Sequence, residues 1–211
     1  MRFWGYFRSS SAHRCRIAFN LKGIAPETVF VHLRKEGGQQ KLPAYRAVNP
    51  QGLVPALDTG AGVLTQSLAI IEWVDETQPG PALLPEGPMS RARVRAFAQI
   101  IACDVHPLQN LRVLDQLRTQ FGADQTTLDA WCRRWIEDGL TACEALADED
   151  APYAFGATPT LADICLIPQM FSAQRFGVDL APFPTLRRIF DHCMAQDAFA
   201  RAAPAAQPDA E

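Results

Sequence analysis

Between Gln78 and Pro88 the chain reads QPGPALLPEGP, where Pro79, Pro81, Pro85 and Pro88 with Gly80 and Gly87 leave no room for a periodic element. The pattern differs in kind on its two sides. Before it, RFWGYF and ETVFVHL read as strands around a short amphipathic helix, RCRIAFNLK, ended by Gly23. GVLT then reads as a strand running into the helix SLAIIEWVDET, with the boundary near Gln66 and Ser67. After the segment no strand signal returns, and the four stretches 89–121, 126–147, 160–177 and 184–199 all read as helical. The expected organisation is an α/β domain over 1–80, a linker over 79–88 and an all-helical domain over 89–211. The tail RAAPAAQPDAE has little apolar content and is expected to fray or to lie on the surface.

With 48% hydrophobic and 20% charged residues, the 211-residue chain has the balance of a globular protein with a sizeable core. A net charge of -3 provides no basic stripe for a phosphate backbone, so nucleic acid is not an expected partner. The start MRFWGYFRSS has no apolar run of signal-peptide length, and no later stretch has the length to span a bilayer, which points to the cytoplasm without membrane contact. Cys15, Cys103, Cys132, Cys143, Cys165 and Cys193 are scattered, with no metal-ligand spacing, and are expected to be reduced and mostly buried.

Several local patterns carry their own physics. Pro55 interrupts the apolar run of NPQGLVPAL, where it would cost a central strand a ladder donor, and a cis Val54-Pro55 bond at a strand entrance reconciles the two. Thr160-Leu161-Ala162-Asp163 has the form of a capping box, which makes Asp163 a helix-start residue rather than a catalytic acid. Ser9, Ser10 and Ser11 precede a helix, where unpaired amides favour negative charge; an ordinary cap is the plain alternative. Ser67 opens a helix in the same way. His106, Asn110 and Arg112 fall at i, i+4 and i+6, so the first two share a helix face unless Pro107 breaks it. A histidine beside a proline is more often structural than catalytic.

FRSSSAHRCRIA resembles the signature of zeta-class glutathione transferases, Ser-Ser-Cys-x-x-x-x-Arg-Ile-Ala, and KEGGQQ, NPQGLVPAL, QSLAIIEW, HPLQNLRVL and AQRFGVDLAPFPTL resemble further segments of that class in the same order. The resemblance covers about residues 1–208. It implies a thioredoxin-like N-terminal domain followed by the helical domain of glutathione transferases, usually as a homodimer. It also implies glutathione, with Ser9 donating a hydrogen bond to its thiolate and Ser10, Ser11 and Arg14 close by. Gln66 and Ser67 would hold the γ-glutamyl carboxylate, the Val54 backbone the cysteinyl amide and Gln40 the glycyl end, while His106, Asn110 and Leu111 complete the glutathione site. Arg8, Arg112 and Arg175 would surround a dicarboxylate keto acid, although solvated surface arginines and a surface glutamine at position 40 are the plain readings.

The class includes maleylacetoacetate and maleylpyruvate isomerases, so the implied activity is glutathione-dependent cis-trans isomerisation of a maleyl keto acid. Two other readings remain: a transferase that conjugates or dehalogenates small α-halo acids with the same thiolate and arginines, and a non-catalytic interaction protein on the same fold, against which the presence of Arg8, Ser9, Gln66 and Ser67 together argues. Ser11 stands where the signature has cysteine and Ala12 follows it, which weakens any chemistry that depends on a protein thiol there.

Overall fold

The computed structural model describes residues 1–211. Its sheet has four strands in the order β2-β1-β3-β4, formed by β1 (Arg2–Gly5), β2 (Glu27–Phe30), β3 (Ala56–Asp58) and β4 (Val63–Thr65). β1 and β2 are parallel, with Phe3 opposite Thr28, and a parallel pair needs a crossover; α1 (Ser10–Leu21) supplies it. The second strand stops at Phe30, short of the expected Leu33. Two 3-10 turns, Lys35–Gly37 and Gln39–Lys41, and the single turn α2 (Pro43–Arg46) lead from β2 to β3. β3 pairs antiparallel with both β1 and β4, and Thr59 N donates to Gly62 O at 3.0 Å across the hairpin turn.

α3 (Ser67–Thr77) packs beside α1. Phe3 on β1 meets Phe19 on α1 edge to face at 5.0 Å, and Ile17, Leu57, Ile70, Ile71 and Val74 of the same unit are fully buried. Burial of each such side chain stabilises the unit by roughly 1.5–3 kcal/mol. At the far ends of the two helices, Lys22 Nζ lies 2.8 Å from Asp75 Oδ1.

By its contacts the chain forms two units, Met1–Leu83 with Ala195–Glu211, and Leu84–Met194. The second unit holds α4 (Pro88–Gln99), α5 (His106–Leu108), α6 (Leu111–Phe121), α7 (Gln125–Leu146), α8 (Leu161–Arg175) and α9 (Pro184–Met194). The long helix expected over 89–121 is three helices. A π-helical segment, Ile100–Val105, follows α4, and α5 ends at Leu108. Pro107 has no N–H and its ring crowds the carbonyl four residues back, so a regular α-turn cannot pass through Cys103–Pro107. The break is held from outside: Trp131 Nε1 donates to Leu108 O at 2.8 Å, and Gln109 Nε2 to Gln169 Oε1 at 2.7 Å. A Cβ at Gly139 on α7 would collide with Val105, so glycine admits the π segment there.

α8 is buried along most of its length and begins with the expected capping box. Thr160 Oγ accepts from Ala162 N, while Asp163 accepts from Thr160 N at 2.8 Å and from Ala154 N at 2.7 Å.

The tail corrects the expectation of a helical domain running to residue 211. α10 (Asp197–Ala200) lies against α1, with Phe199 fully buried. Asn20 Nδ2 donates to Ala198 O at 2.8 Å and Arg16 Nε to Ala202 O at 3.0 Å. Few apolar side chains are needed when the tail is fastened by hydrogen bonds to its backbone, a signal that composition does not carry.

Candidate functional site

The sequence places the three serines ahead of the helix; the structure places only Ser9 there. Ser9 is the N-cap of α1, and Ser10 and Ser11 are its first two residues. Ser9 has extended backbone, as a cap requires, and its Oγ accepts from Ala12 N at 3.2 Å. Ser9 Oγ lies 3.1 Å from Ser11 Oγ, and Ser11 Oγ donates to the Val54 carbonyl at 3.1 Å. A carbonyl only accepts, so with Ser11 donating to Val54 the remaining hydrogen in the Ser9–Ser11 contact belongs to Ser9. Ser9 therefore carries a hydroxyl hydrogen that an arriving anion at the helix start can claim. The Val54-Pro55 bond is cis, as expected, and the buried Val54 joins the serines through its carbonyl.

The segment around Val54 is fixed by residues that the sequence did not single out. Tyr45 Oη and Asn49 Nδ2 both donate to Leu53 O, at 2.7 and 2.6 Å, and Asn49 Oδ1 accepts from Gln51 N. Asn49-Pro50-Gln51-Gly52 is a turn signal from which the last of these contacts could have been read. Arg16 is less legible. Its Nη1 and Nη2 donate to Tyr6 O and Phe7 O while Asp209 accepts from Phe7 N at 2.9 Å, so α1 and the tail hold the loop leading to Ser9 from both sides. Burial lowers the Arg16 pKa to about 10, which leaves it charged at neutral pH.

A second group forms at the start of α3. Gln66 is the N-cap with φ +69° and makes no side-chain cap bond; its Nε2 donates to Gln51 Oε1 at 2.9 Å. The first amides of α3 thus lack the side-chain acceptor that Ser9 provides on α1. Ser67 is buried, and Arg14, expected near Ser9, donates from Nη1 to Ser67 Oγ at 3.3 Å. Arg14 thus belongs to this second group. His13 beside it is held well below the usual histidine range, first by burial and then by Arg16 and Arg14.

Gln40 is buried rather than a surface glutamine: Nε2 donates to Leu33 O at 3.4 Å and Oε1 has no hydrogen-bond partner. A Cβ on Gly38, which has φ +102°, would lie 2.8 Å from Gln40 Nε2, so glycine is needed for that placement. Arg8 is exposed, with its guanidinium carbon 5.6 Å from the centre of the Phe7 ring.

In the helical unit the face expected to join His106 and Asn110 does not exist. His106 begins α5, and Asn110 lies past the break as the N-cap of α6, its Oδ1 accepting from Arg112 N at 3.1 Å. Leu111 is the half-buried first residue of α6, and the Arg112 side chain is exposed. Arg175 ends α8, exposed, 4.5 Å over the Phe176 ring. The six cysteines form no disulfide, and all but Cys103 are buried.

Residues 8–77 match the N-terminal domain of glutathione S-transferases. The chain is 54% identical to a maleylpyruvate isomerase of Ralstonia sp over 99% of both chains. A solved structure of maleylpyruvate isomerase, described as a bacterial glutathione S-transferase of the zeta class, superposes with a TM-score of 0.96 at 53% identity over the whole of both chains. The chain belongs to the zeta-class glutathione transferases. This zeta-class chain is also 46% identical to a maleylacetoacetate isomerase of Pseudomonas aeruginosa, over 99% of its own length and 98% of the relative's. The zeta-class signature accounts for Ser9, and the NPQGLVPAL segment for the Val-Pro entrance to β3. It does not reveal that Arg14, inside the same motif, serves α3.

Proposed function

We propose that the protein is a glutathione-dependent cis-trans isomerase that converts a maleyl keto acid, maleylpyruvate or maleylacetoacetate, to its fumaryl isomer. The observation that carries this reading is the Ser9 hydroxyl at the start of α1, joined through Ser11 to the Val54 carbonyl. A donor hydroxyl, a helix start and an extended backbone segment come together where a thiol-bearing peptide needs an anion donor and an amide partner.

The residues present fit glutathione. Beside Ser9, the uncapped start of α3 with Ser67 and the buried Arg14 suits a carboxylate, and the unpartnered Gln40 Oε1 is an acceptor for a peptide amide. When bound, glutathione supplies a thiolate that adds reversibly to the conjugated double bond, so that the carbon pair can rotate as a single bond.

The chain's own residues do the rest. Ser9 holds the sulfur as an anion by donating its hydroxyl hydrogen and by adding the dipole of α1, lowering a thiol pKa that is otherwise about 8.5. Ser11 keeps Ser9 Oγ in position, and Ser67 with Gln66 anchors the γ-glutamyl end. Arg8, exposed beside the Phe7 ring, binds a substrate carboxylate and favours the negative charge that develops toward the carbonyls. The reaction belongs to the breakdown of aromatic rings, carried out by a homodimer in the cytoplasm.

The test is ultraviolet absorbance of maleylpyruvate and of maleylacetoacetate with the purified protein and catalytic glutathione. Conversion of at least one keto acid with glutathione recovered is expected. Unchanged spectra, or one glutathione consumed per turnover, would overturn the reading, and the second result would point to conjugation. Light scattering on the eluting protein should give the mass of two chains.

A further inference from the structure

Arg14 is 2% exposed and among the largest fully buried side chains of the protein. Nη1 donates to Ser67 Oγ, but Nε and Nη2 are buried with no hydrogen-bond partner. A guanidinium left in this way is a cost to the fold, and a methionine would fill the space without that penalty. The local chemistry explains what is gained in return.

We propose that Arg14 is a positioning residue that aims the Ser67 hydroxyl and charges the start of α3 for the γ-glutamyl carboxylate of glutathione; this rests on the glutathione-dependent reading above. A guanidinium only donates, so in the Arg14–Ser67 contact the serine oxygen accepts and the serine hydrogen must point elsewhere. With Gln66 making no side-chain cap bond, the first-turn amides of α3 and that hydrogen form a set of donors without an acceptor from the cap residue. Behind them stands a positive charge that water does not screen. His13, the neighbouring titratable group, is held neutral and adds no competing cation. Cys15 Sγ, 3.9 Å from Ser67 O, supports the serine from the same helix. Since Nε and Nη2 are buried, Arg14 acts through Ser67 and through its field, and makes no contact with the ligand itself.

Calorimetric titration of wild type, Arg14→Met and Arg14→Lys with two ligands tests this: glutathione, and the same tripeptide lacking the α-carboxylate of its γ-glutamyl unit. Arg14→Met should weaken glutathione about tenfold, the size of one charge-assisted hydrogen bond. It should weaken the decarboxylated tripeptide less than about twofold, and Arg14→Lys, which keeps the charge, should recover part of the loss. The melting temperature of the ligand-free Met variant should stay level or rise, since an uncompensated buried charge has gone.

Equal weakening of both ligands, or a lower melting temperature without selective loss, would make Arg14 a structural residue and overturn the proposal alone. A wild type that binds neither ligand would overturn the glutathione reading itself. If the Met variant does not fold, the Lys variant and the wild-type preference between the two ligands carry the same comparison.

Discussion

At the start of α1 the open amides meet a chain of hydroxyls, from Ser9 through Ser11 to the Val54 carbonyl, whereas at the start of α3 they meet Ser67 with a guanidinium behind it. The caps differ too. Ser9 gives its oxygen to Ala12 N, while Gln66 turns its side chain away to Gln51. A neutral hydroxyl stabilises an anion moderately, which suits a sulfur that must remain nucleophilic and leave again. A buried cation behind uncapped amides suits a carboxylate that stays charged throughout and only anchors. In the reading proposed above, one helix start would serve the reacting atom and the other the handle.

Substitutions can break this division. Ser9→Ala removes the donor to the reacting atom and should lower isomerase turnover on the order of a hundredfold, with glutathione affinity changed only slightly. Turnover and calorimetric affinity measured together check this; the lost cap also costs about 1 kcal/mol of stability. Ser67→Ala should do the reverse, with affinity for glutathione falling about tenfold and turnover at saturating glutathione nearly retained. If both variants lose turnover and affinity alike, the two helix starts form one undivided anion site. Ser11→Ala should cost less than about fivefold in turnover, because Ser9 keeps its contact with Ala12 N and loses only a neutral neighbour.

The smallest effect concerns His13, which burial and the neighbouring cations Arg16 and Arg14 disfavour as a third cation. Its pKa is lowered in the folded protein, so the unfolded chain takes up the proton first as the pH falls. The stability it contributes is complete above the unfolded value of about 6.5 and is lost below it, by at most about 1.4 kcal/mol per pH unit. Urea unfolding at pH 7.5 and pH 5.5 should show His13→Gln less acid-sensitive than wild type.

Local chemistry was legible where a single residue type has one good use. The proline-rich stretch, the capping box at Thr160 and Asp163, the start of α3 and the irregular peptide at Val54-Pro55 are decisions of neighbouring residues, and the structure places all of them where the pattern does. The helical unit was read less well. A continuous helix over 89–121 keeps its apolar period through the π segment, and only packing against Gly139, Trp131 and Gln169 reveals where the turns are broken. His106 and Asn110 lost their common face for that reason. Of the two expectations for the tail the second holds: it lies on the surface, fastened through the Ala202 carbonyl and the Asp209 carboxylate, contacts that composition does not announce.

By itself the sequence determined the succession of an α/β part and a helical part, and the serines Ser9 and Ser67 at the starts of α1 and α3. Those follow from turn chemistry, periodicity and capping, which act within a few residues. Only the tertiary structure decided which helix start Arg14 serves. Arg14 and Ser67 are separated by most of the sheet in sequence, and their contact exists because α1 and α3 pack side by side. A side chain inside the motif of one helix can therefore set the chemistry of the other.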